Sequence, residues 1–206
     1  MNIVGIYSKN RVEWWTTDWA CGLFGITSVP LYDTLGKENL TYCLKQTMMT
    51  TLFLSAPCMK NLLDLDDIGN LQTLICYDHL EEIDEGVRNK AAQRGLNVLQ
   101  WKDLITHGKT LEQIDHTKIP IKGDDVFTFS YTSGTTGPPK GAMITHRNIL
   151  TMLVSLADYK QWQAKEETVH VSYLPLPHLY ERAMSIDMPL YGATMVVYGG
   201  NNLKLK

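Results

Sequence analysis

Apolar positions along the chain fall into two alternating patterns: short β-rich runs, and longer stretches with helical spacing. The run Ile3–Tyr7 predicts a strand that begins almost at the first residue. Asn10 then reads as a helix cap, with Glu13 three residues later in the reciprocal position of a capping box. Val12, Trp15, Trp19 and Leu23 repeat at i, i+3, i+7 and i+11, which puts them on one face, and the tryptophans of this stretch are expected in the core. Similar pairs follow. Thr27–Tyr32 reads as extended and Glu38–Met48 as helical, Thr51–Leu54 as a strand and Met59–Leu65 as a helix. Thr73–Tyr77 reads as a strand, Glu81–Arg94 as a helix ended by Gly95, and Val98–Trp101 as the last strand of the series. This alternation predicts an α/β fold with a mostly parallel sheet flanked by helices.

Residues 106–125 are polar, contain Gly108, Pro120 and Gly123, and show no period, so they read as a connection between two subdomains. Beyond them, Phe127–Tyr131 predicts a strand running into a glycine-rich loop. Thr145 is placed to cap a helix whose Ile149, Met152, Leu153 and Leu156 share a face. A strand at Val169–Leu174, a helix around His178–Met188 and a strand at Thr194–Tyr198 follow. Both ends read as cut. The first strand has no preceding helix to cover it, and the chain stops just after a strand.

Composition narrows the classes. Hydrophobic residues at 44% and charged residues at 20% suit a soluble globular chain able to build a core. A net charge of −3, without a run of like charges, gives no field that favours nucleic acid. Cys21, Cys43, Cys58 and Cys76 lie in apolar surroundings without C-x-x-C spacing, and read as buried reduced thiols. The histidines show no metal-binding spacing. Met1-Asn2-Ile3-Val4-Gly5 lacks a basic region before an apolar stretch, which argues against a secretory signal. Trp19–Tyr32 is too short and too broken to span a bilayer, so no membrane anchor is expected within this chain.

The stretch Tyr131-Thr132-Ser133-Gly134-Thr135-Thr136-Gly137-Pro138-Pro139-Lys140-Gly141 carries the chemistry. Its glycines permit close backbone approach and positive φ, and its hydroxyls add small donors. Consecutive N–H groups in such a turn form an anion-binding concavity. The prolines restrict the turn, and Lys140 adds a full positive charge. The combination suits a triphosphate. The spacing is neither that of a Walker A loop nor that of the kinase glycine loop.

Residues 132–141 resemble the signature of the AMP-binding, adenylate-forming enzymes: two hydroxyl residues, glycine, two hydroxyl residues, glycine, any residue, proline, lysine, glycine. Nine specified positions would match by chance with odds on the order of one in a billion per start site. Two further stretches are similar to the long-chain fatty acid–CoA ligases (acyl-CoA synthetases). They are Pro30–Gly36, preceded by an N-R-x-E-W pattern at Asn10–Trp14, and Leu174-Pro175-Leu176-Pro177-His178-Leu179-Tyr180-Glu181-Arg182.

The resemblance implies an incomplete N-terminal domain of the ANL-type fold, with layered, mostly parallel sheets. Residues 1–206 would be a partial AMP-binding domain with a subdomain break near 106–125. It also implies activation of a long-chain fatty acid by ATP, then transfer to CoA. Thr132, Ser133, Gly134, Thr135, Thr136, Gly137 and Lys140 would hold the ATP phosphates, and Thr132 would reach Mg²⁺. His178 and Lys140 would serve the chemistry, with His178 lining the acyl and adenylate pocket. A histidine simply satisfied at a helix start is the plainer reading of His178. Glu181 and Arg182 read as family-like or as an ion pair on the helix face, and His146 as packing under the loop. Relatives act at the cytoplasmic face of endoplasmic reticulum, mitochondrial outer or peroxisomal membranes.

The adenine and ribose motifs, the hinge and the C-terminal lid domain with its lysine have no counterpart in these residues. A chain of this kind is expected to be inactive as a ligase alone. A family member acting on shorter acids or amino acids, and a non-catalytic remnant that binds nucleotide or a partner, are the alternatives.

Overall fold

A computed structural model describes residues 2–132, 137–158 and 164–198. Strand β1 (Ile3–Tyr7) is followed by α1 (Val12–Leu23), β2 (Thr27–Leu31), α2 (Lys37–Thr47), β3 (Thr51–Leu54) and α3 (Ala56–Leu63). Next come β4 (Thr73–Cys76), α4 (Glu85–Gln93), β5 (Asn97–Gln100) and α5 (Trp101–Gly108). A hairpin of β6 (Val126–Thr132) and β7 (Lys140–Thr145) leads into α6 (His146–Asp158), β8 (Val169–Ser172), α7 (Leu179–Leu190) and β9 (Thr194–Val197).

The main sheet has the order β5-β4-β3-β1-β2-β6-β7, parallel except for β7, which returns antiparallel to β6. The winding reverses at β1. The chain steps outward to β2, then back across β1 to β3, and onward to β5. Right-handed crossovers then place α1 on one face of the sheet and α2, α3 and α4 on the other. The core follows this division. Leu40 and Leu44 of α2, Met59 and Leu62 of α3, and Ala91 of α4 pack with Tyr7, Leu31, Leu52, Leu54 and Leu74. Across the sheet, Trp14 of α1 joins Ile6, Tyr77 and Leu176, with Trp101 of α5 against them. The parallel pair β8-β9 forms a second, small sheet, and α6 lays Met152 and Leu156 against Ala183, Met184 and Met188 of α7.

Most predicted elements lie within a few residues of their expected bounds, and four readings need correction. Asn10 does not cap α1; the cap position is Arg11, without a side-chain cap bond, and Glu13 pairs with Arg11 at 2.8 Å. The inward face of α1 is Trp14, Thr17, Asp18 and Cys21, whereas Val12, Trp19 and Leu23 are 61%, 39% and 48% exposed. The physical reason is a buried ion pair described below, which needs Asp18 inside. α5 occupies residues read partly as strand and partly as connection, so irregular structure begins at 109, with a short 3-10 turn at His116–Lys118. β7 was not anticipated, because its residues were absorbed into the loop.

The readings of Thr145 and of the cysteines stand as made. Thr145 caps α6: its Oγ1 accepts from the Asn148 N–H at 3.2 Å, while Asn148 Oδ1 accepts from the Thr145 N–H at 3.0 Å. All four cysteines are buried and free. Burial pushes the thiols of Cys21 and Cys43 up to about 12 and those of Cys58 and Cys76 to about 11, so they are protonated and unreactive at neutral pH. Among the described residues no helix is long and apolar enough to cross a membrane.

Candidate functional site

The site begins with a missing N–H. The Thr27 N–H donates to Asn2 in the β1 direction, so alternation turns the N–H positions of residues 28 and 30 toward β6. Residue 30 is proline and has no hydrogen to give. The β2–β6 ladder consists of the single pair Ser28–Thr128 and goes no further. An open cleft of about 570 Å³ lies at the carboxyl ends of the two strands. Pro30, Leu31, Tyr32, Thr34 and Leu35 line one side, Ser130, Tyr131, Thr132 and Pro139 another, and His178 and Leu179 close it from the start of α7. Carboxyl ends of parallel strands, near a reversal of strand order, are where open α/β sheets place their ligands.

The hydroxyl- and glycine-rich turn is the tip of the β6–β7 hairpin. Thr132 and Lys140 are direct partners in the antiparallel register, so their side chains leave the same face. Both are exposed, and the Thr132 hydroxyl donates to the Lys140 carbonyl at 3.5 Å. Lys140 does not line the cleft, although its partner Thr132 does. Two glycines of the turn serve different ends. Gly137 has φ +102°, a conformation that L side chains rarely adopt, with open space where a Cβ would lie. Gly141 instead makes room: a Cβ there would stand 3.1 Å from Cζ of Tyr131. That ring is held in place by its hydroxyl, which donates to Gln46 Oε1 at 2.6 Å. Ser133, Gly134, Thr135 and Thr136 lie outside the described residues.

His178 is the N-cap of α7, where its Nδ1 accepts from the Tyr180 N–H at 3.2 Å. The satisfied helix-start histidine and the cleft-lining histidine are therefore the same residue. With Nδ1 accepting, a neutral ring carries its proton on Nε2. The α7 N-terminus also brings the positive end of the helix dipole to the cleft.

Glu181 and Arg182 do not pair with each other. Arg182 is 1% exposed and runs from α7 to α1, β2 and β6. Its Nε donates to Asp18 Oδ2 at 2.8 Å, Nη2 to Asp18 Oδ1 and to Ser28 Oγ (2.7 Å), and Nη1 to Thr128 Oγ1 (2.6 Å). The guanidinium lies between the rings of Trp14 and Phe127, 5.7 and 4.9 Å from their centroids. One side chain thus ties α7 to α1, β2 and β6, at the strand pair just below the cleft. Glu181 is fully buried and its Oε1 meets His170 Nε2 at 3.0 Å. His146 packs edge-on against Phe127, and burial pulls its imidazole below the usual histidine range.

Asn10 is the residue that pattern reading misplaced. Its side chain grips the segment between β8 and α7, through Leu174, Ser172 and Leu176. Its place in the N-R-x-E-W pattern was the available signal, but the pattern does not say what the asparagine touches.

A mostly parallel α/β sheet thus carries an open cleft at its carboxyl edge, lined by β2, the β6–β7 hairpin and the start of α7. The family model described as AMP-binding enzyme matches residues 2–206, and the chain belongs to that family. It is 34% identical over 203 residues to the peroxisomal long chain acyl-CoA synthetase 6 of Arabidopsis thaliana, covering 98% of this chain and 28% of that protein. It is 34% identical over 199 residues to fatty acyl-CoA synthetase B of Dictyostelium discoideum, covering 96% and 29%. The chain spans less than a third of the length of these curated relatives. Among solved structures, the A domain of carboxylic acid reductase from Segniliparus rugosus, in complex with AMP and a co-purified carboxylic acid, matches 98% of this chain and 34% of that one, with a TM-score of 0.82 and 21% identity. The N-terminal domain of FACL13 from Mycobacterium tuberculosis matches 97% and 44%, with a TM-score of 0.69 and 16% identity. These structural likenesses establish the fold.

Proposed function

We propose that this chain is part of a long-chain fatty acid–CoA ligase and holds the ATP phosphates at the β6–β7 turn. It would be a partial adenylation domain, with its subdomain junction near 106–125. In the reaction a fatty carboxylate oxygen attacks the α-phosphorus of ATP and pyrophosphate leaves; the CoA thiol then displaces AMP. The first step brings anions together. Two unit charges at 4 Å repel by about 4 kcal/mol at an effective dielectric near 20. Lys140, the turn amides and the α7 N-terminus are the groups that would offset this. Thr132 would give Mg²⁺ its protein oxygen, the remaining ligands coming from phosphates and water, as suits an ion that keeps several waters. Bound there, Mg²⁺ would supply charge neutralisation at the phosphates.

The observation that carries this reading is the shared cleft: Thr132 and Pro139, on either side of the hairpin turn, line one space with the distant His178. The long acyl substrate is favoured by the Arabidopsis and Dictyostelium relatives, and by the Pro30–Gly36 and Leu174–Arg182 stretches. Placement at a peroxisomal or other organelle membrane face belongs to the same reading. Alone, the chain should have little ligase activity. One oxyanion-type donor contributes about 3–4 kcal/mol, against the roughly 8–23 kcal/mol by which enzymes lower barriers. Calorimetric titration with MgATP tests the binding claim. Binding is expected, and Lys140→Ala, at an exposed position, should weaken it about tenfold or more without lowering thermal stability. No heat of binding, or equal affinity in the variant, would remove the proposal's basis. Family-like pyrophosphate exchange by the 206-residue chain would overturn the expected inactivity.

A further inference from the structure

We propose that Asn10 is a positioning residue for His178: its carboxamide acts as a one-residue strand partner that fixes the turn carrying the imidazole into the cleft. This rests on the reading of that cleft as the nucleotide site.

The Asn10 side chain follows the carboxyl end of β1 and meets residues 172–176 with both ends of its amide. Nδ2 donates to the Leu174 carbonyl at 2.6 Å and to Ser172 Oγ at 3.1 Å, while Oδ1 accepts from the Leu176 N–H at 2.9 Å. A carbonyl at one residue and an N–H two residues on are what a neighbouring strand would engage. Asn10 supplies both from one side chain. The clamp also sets Leu176 into the core beside Ile6, Trp14 and Tyr77, where it is fully buried. From that fixed point the chain turns once, with the His178 N–H donating to the Pro175 carbonyl at 2.9 Å. On the far side the Arg182 N–H donates to the His178 carbonyl at 3.2 Å, and the Arg182 side chain is tied to Asp18 of α1. The histidine backbone is held from both directions. Its Nδ1 is committed to Tyr180, so Nε2 is the nitrogen left for a ligand in the cleft.

Replacing the amide dissects the clamp. Asn10→Ala removes both halves. Asn10→Asp keeps the acceptor for Leu176 but sets a carboxylate oxygen against the Leu174 carbonyl, so it should be intermediate. The test is solution NMR of the isotope-labelled chain, without ligand and with MgATP. In the wild type His178 should populate one neutral tautomer, with Nδ1 as acceptor. In Asn10→Ala the tautomer signature should become mixed, and amide exchange at Leu176 and His178 should speed by about tenfold or more. Exchange in β1, β3 and β4 should change by less than about twofold. An unchanged tautomer with unchanged exchange at Leu176 and His178 would overturn the proposal. So would acceleration spread evenly through those strands, because that is what a purely structural role gives. If Asn10→Ala does not fold, Asn10→Asp is read by the same criteria. In the second arm MgATP should shift the wild-type His178 ring signals, with affinity about tenfold weaker in the variant. A wild-type ring indifferent to MgATP would count against the nucleotide reading, while the ligand-free tautomer and exchange still decide the positioning role.

Discussion

Removing the carboxylate of Asp18 should strip the charge partner from a guanidinium that has 1% of its surface exposed. In Asp18→Ala, Arg182 loses the acceptors of its Nε and of one Nη2 hydrogen, and the Ser28 hydroxyl loses the acceptor it reaches at 2.8 Å. Breaking a buried pair by deleting one partner costs about 3–5 kcal/mol, and the stranded hydroxyl about 1 kcal/mol more. Domains of ordinary stability hold about 5–15 kcal/mol in all. At about 2–4 °C per kcal/mol for a chain of this size, the midpoint should fall by about 8–24 °C. Thermal and urea unfolding followed by circular dichroism measure it. The companion variant Asp18→Leu with Arg182→Met removes both charges, and should be markedly more stable than Asp18→Ala, because no charge is left buried alone. A loss below about 1 kcal/mol in the single variant, or a double variant as unstable as two independent losses added together, would refute the argument that this pair ties α7 to α1.

Three further outcomes follow from individual positions. Gly137→Ala adds a Cβ into open space at φ +102°, so its effect is backbone strain of about 1–3 kcal/mol confined to the hairpin turn. MgATP affinity should drop several-fold while β1–β5 keep their amide-exchange protection, and unchanged affinity would show that the turn does not depend on that conformation. Gly141→Ala forces the Tyr131 ring away from its Gln46 bond and should cost about 1–3 kcal/mol in urea unfolding. Asp187, 1% exposed and with its Oδ2 lacking a hydrogen-bond partner among the described residues, has a carboxyl pushed above the usual range by burial. Its folded pKa exceeds the unfolded value of 3.8, so the native state holds the proton more tightly; the stability this contributes is complete below 3.8 and is lost as pH rises through the folded value. Asp187→Asn should therefore melt higher than wild type at pH 7 and lose that advantage near pH 3, and a difference that ignores pH would contradict it.

Much of the sheet was readable because buried parallel strands are written as short apolar runs between turn signals. Ile3–Tyr7 and Thr51–Leu54 needed no adjustment, since nothing competes with burial on those strands. Helix α1 misled for the opposite reason. Its inward face carries Thr17 and Asp18 because the space beneath it holds the Arg182 guanidinium, and periodicity counts apolar residues only. The helical spacing of Val12, Trp15, Trp19 and Leu23 thus marked a face that is mostly exposed. Arg182 and Asp18 stand 164 residues apart, and no local pattern joins them.

The candidate site divides in the same way. The turn was readable because its chemistry is contiguous, and Thr132, Gly137 and Lys140 stand in the hairpin that the motif describes. The cleft beside it was not, since its lining is drawn from β2, the β6–β7 hairpin and the start of α7, which lie far apart along the chain. In sequence Pro30 only weakens a strand. In the sheet, alternation sends its missing N–H toward β6 and leaves the β1 side intact, with Val29 and Leu31 still in register on Gly5 and Tyr7. A proline one position earlier or later would remove an N–H from the β1 side and damage the centre of the sheet. At position 30 the same residue ends the pairing with β6 after Ser28–Thr128, beside the cleft that Thr132 and His178 also line.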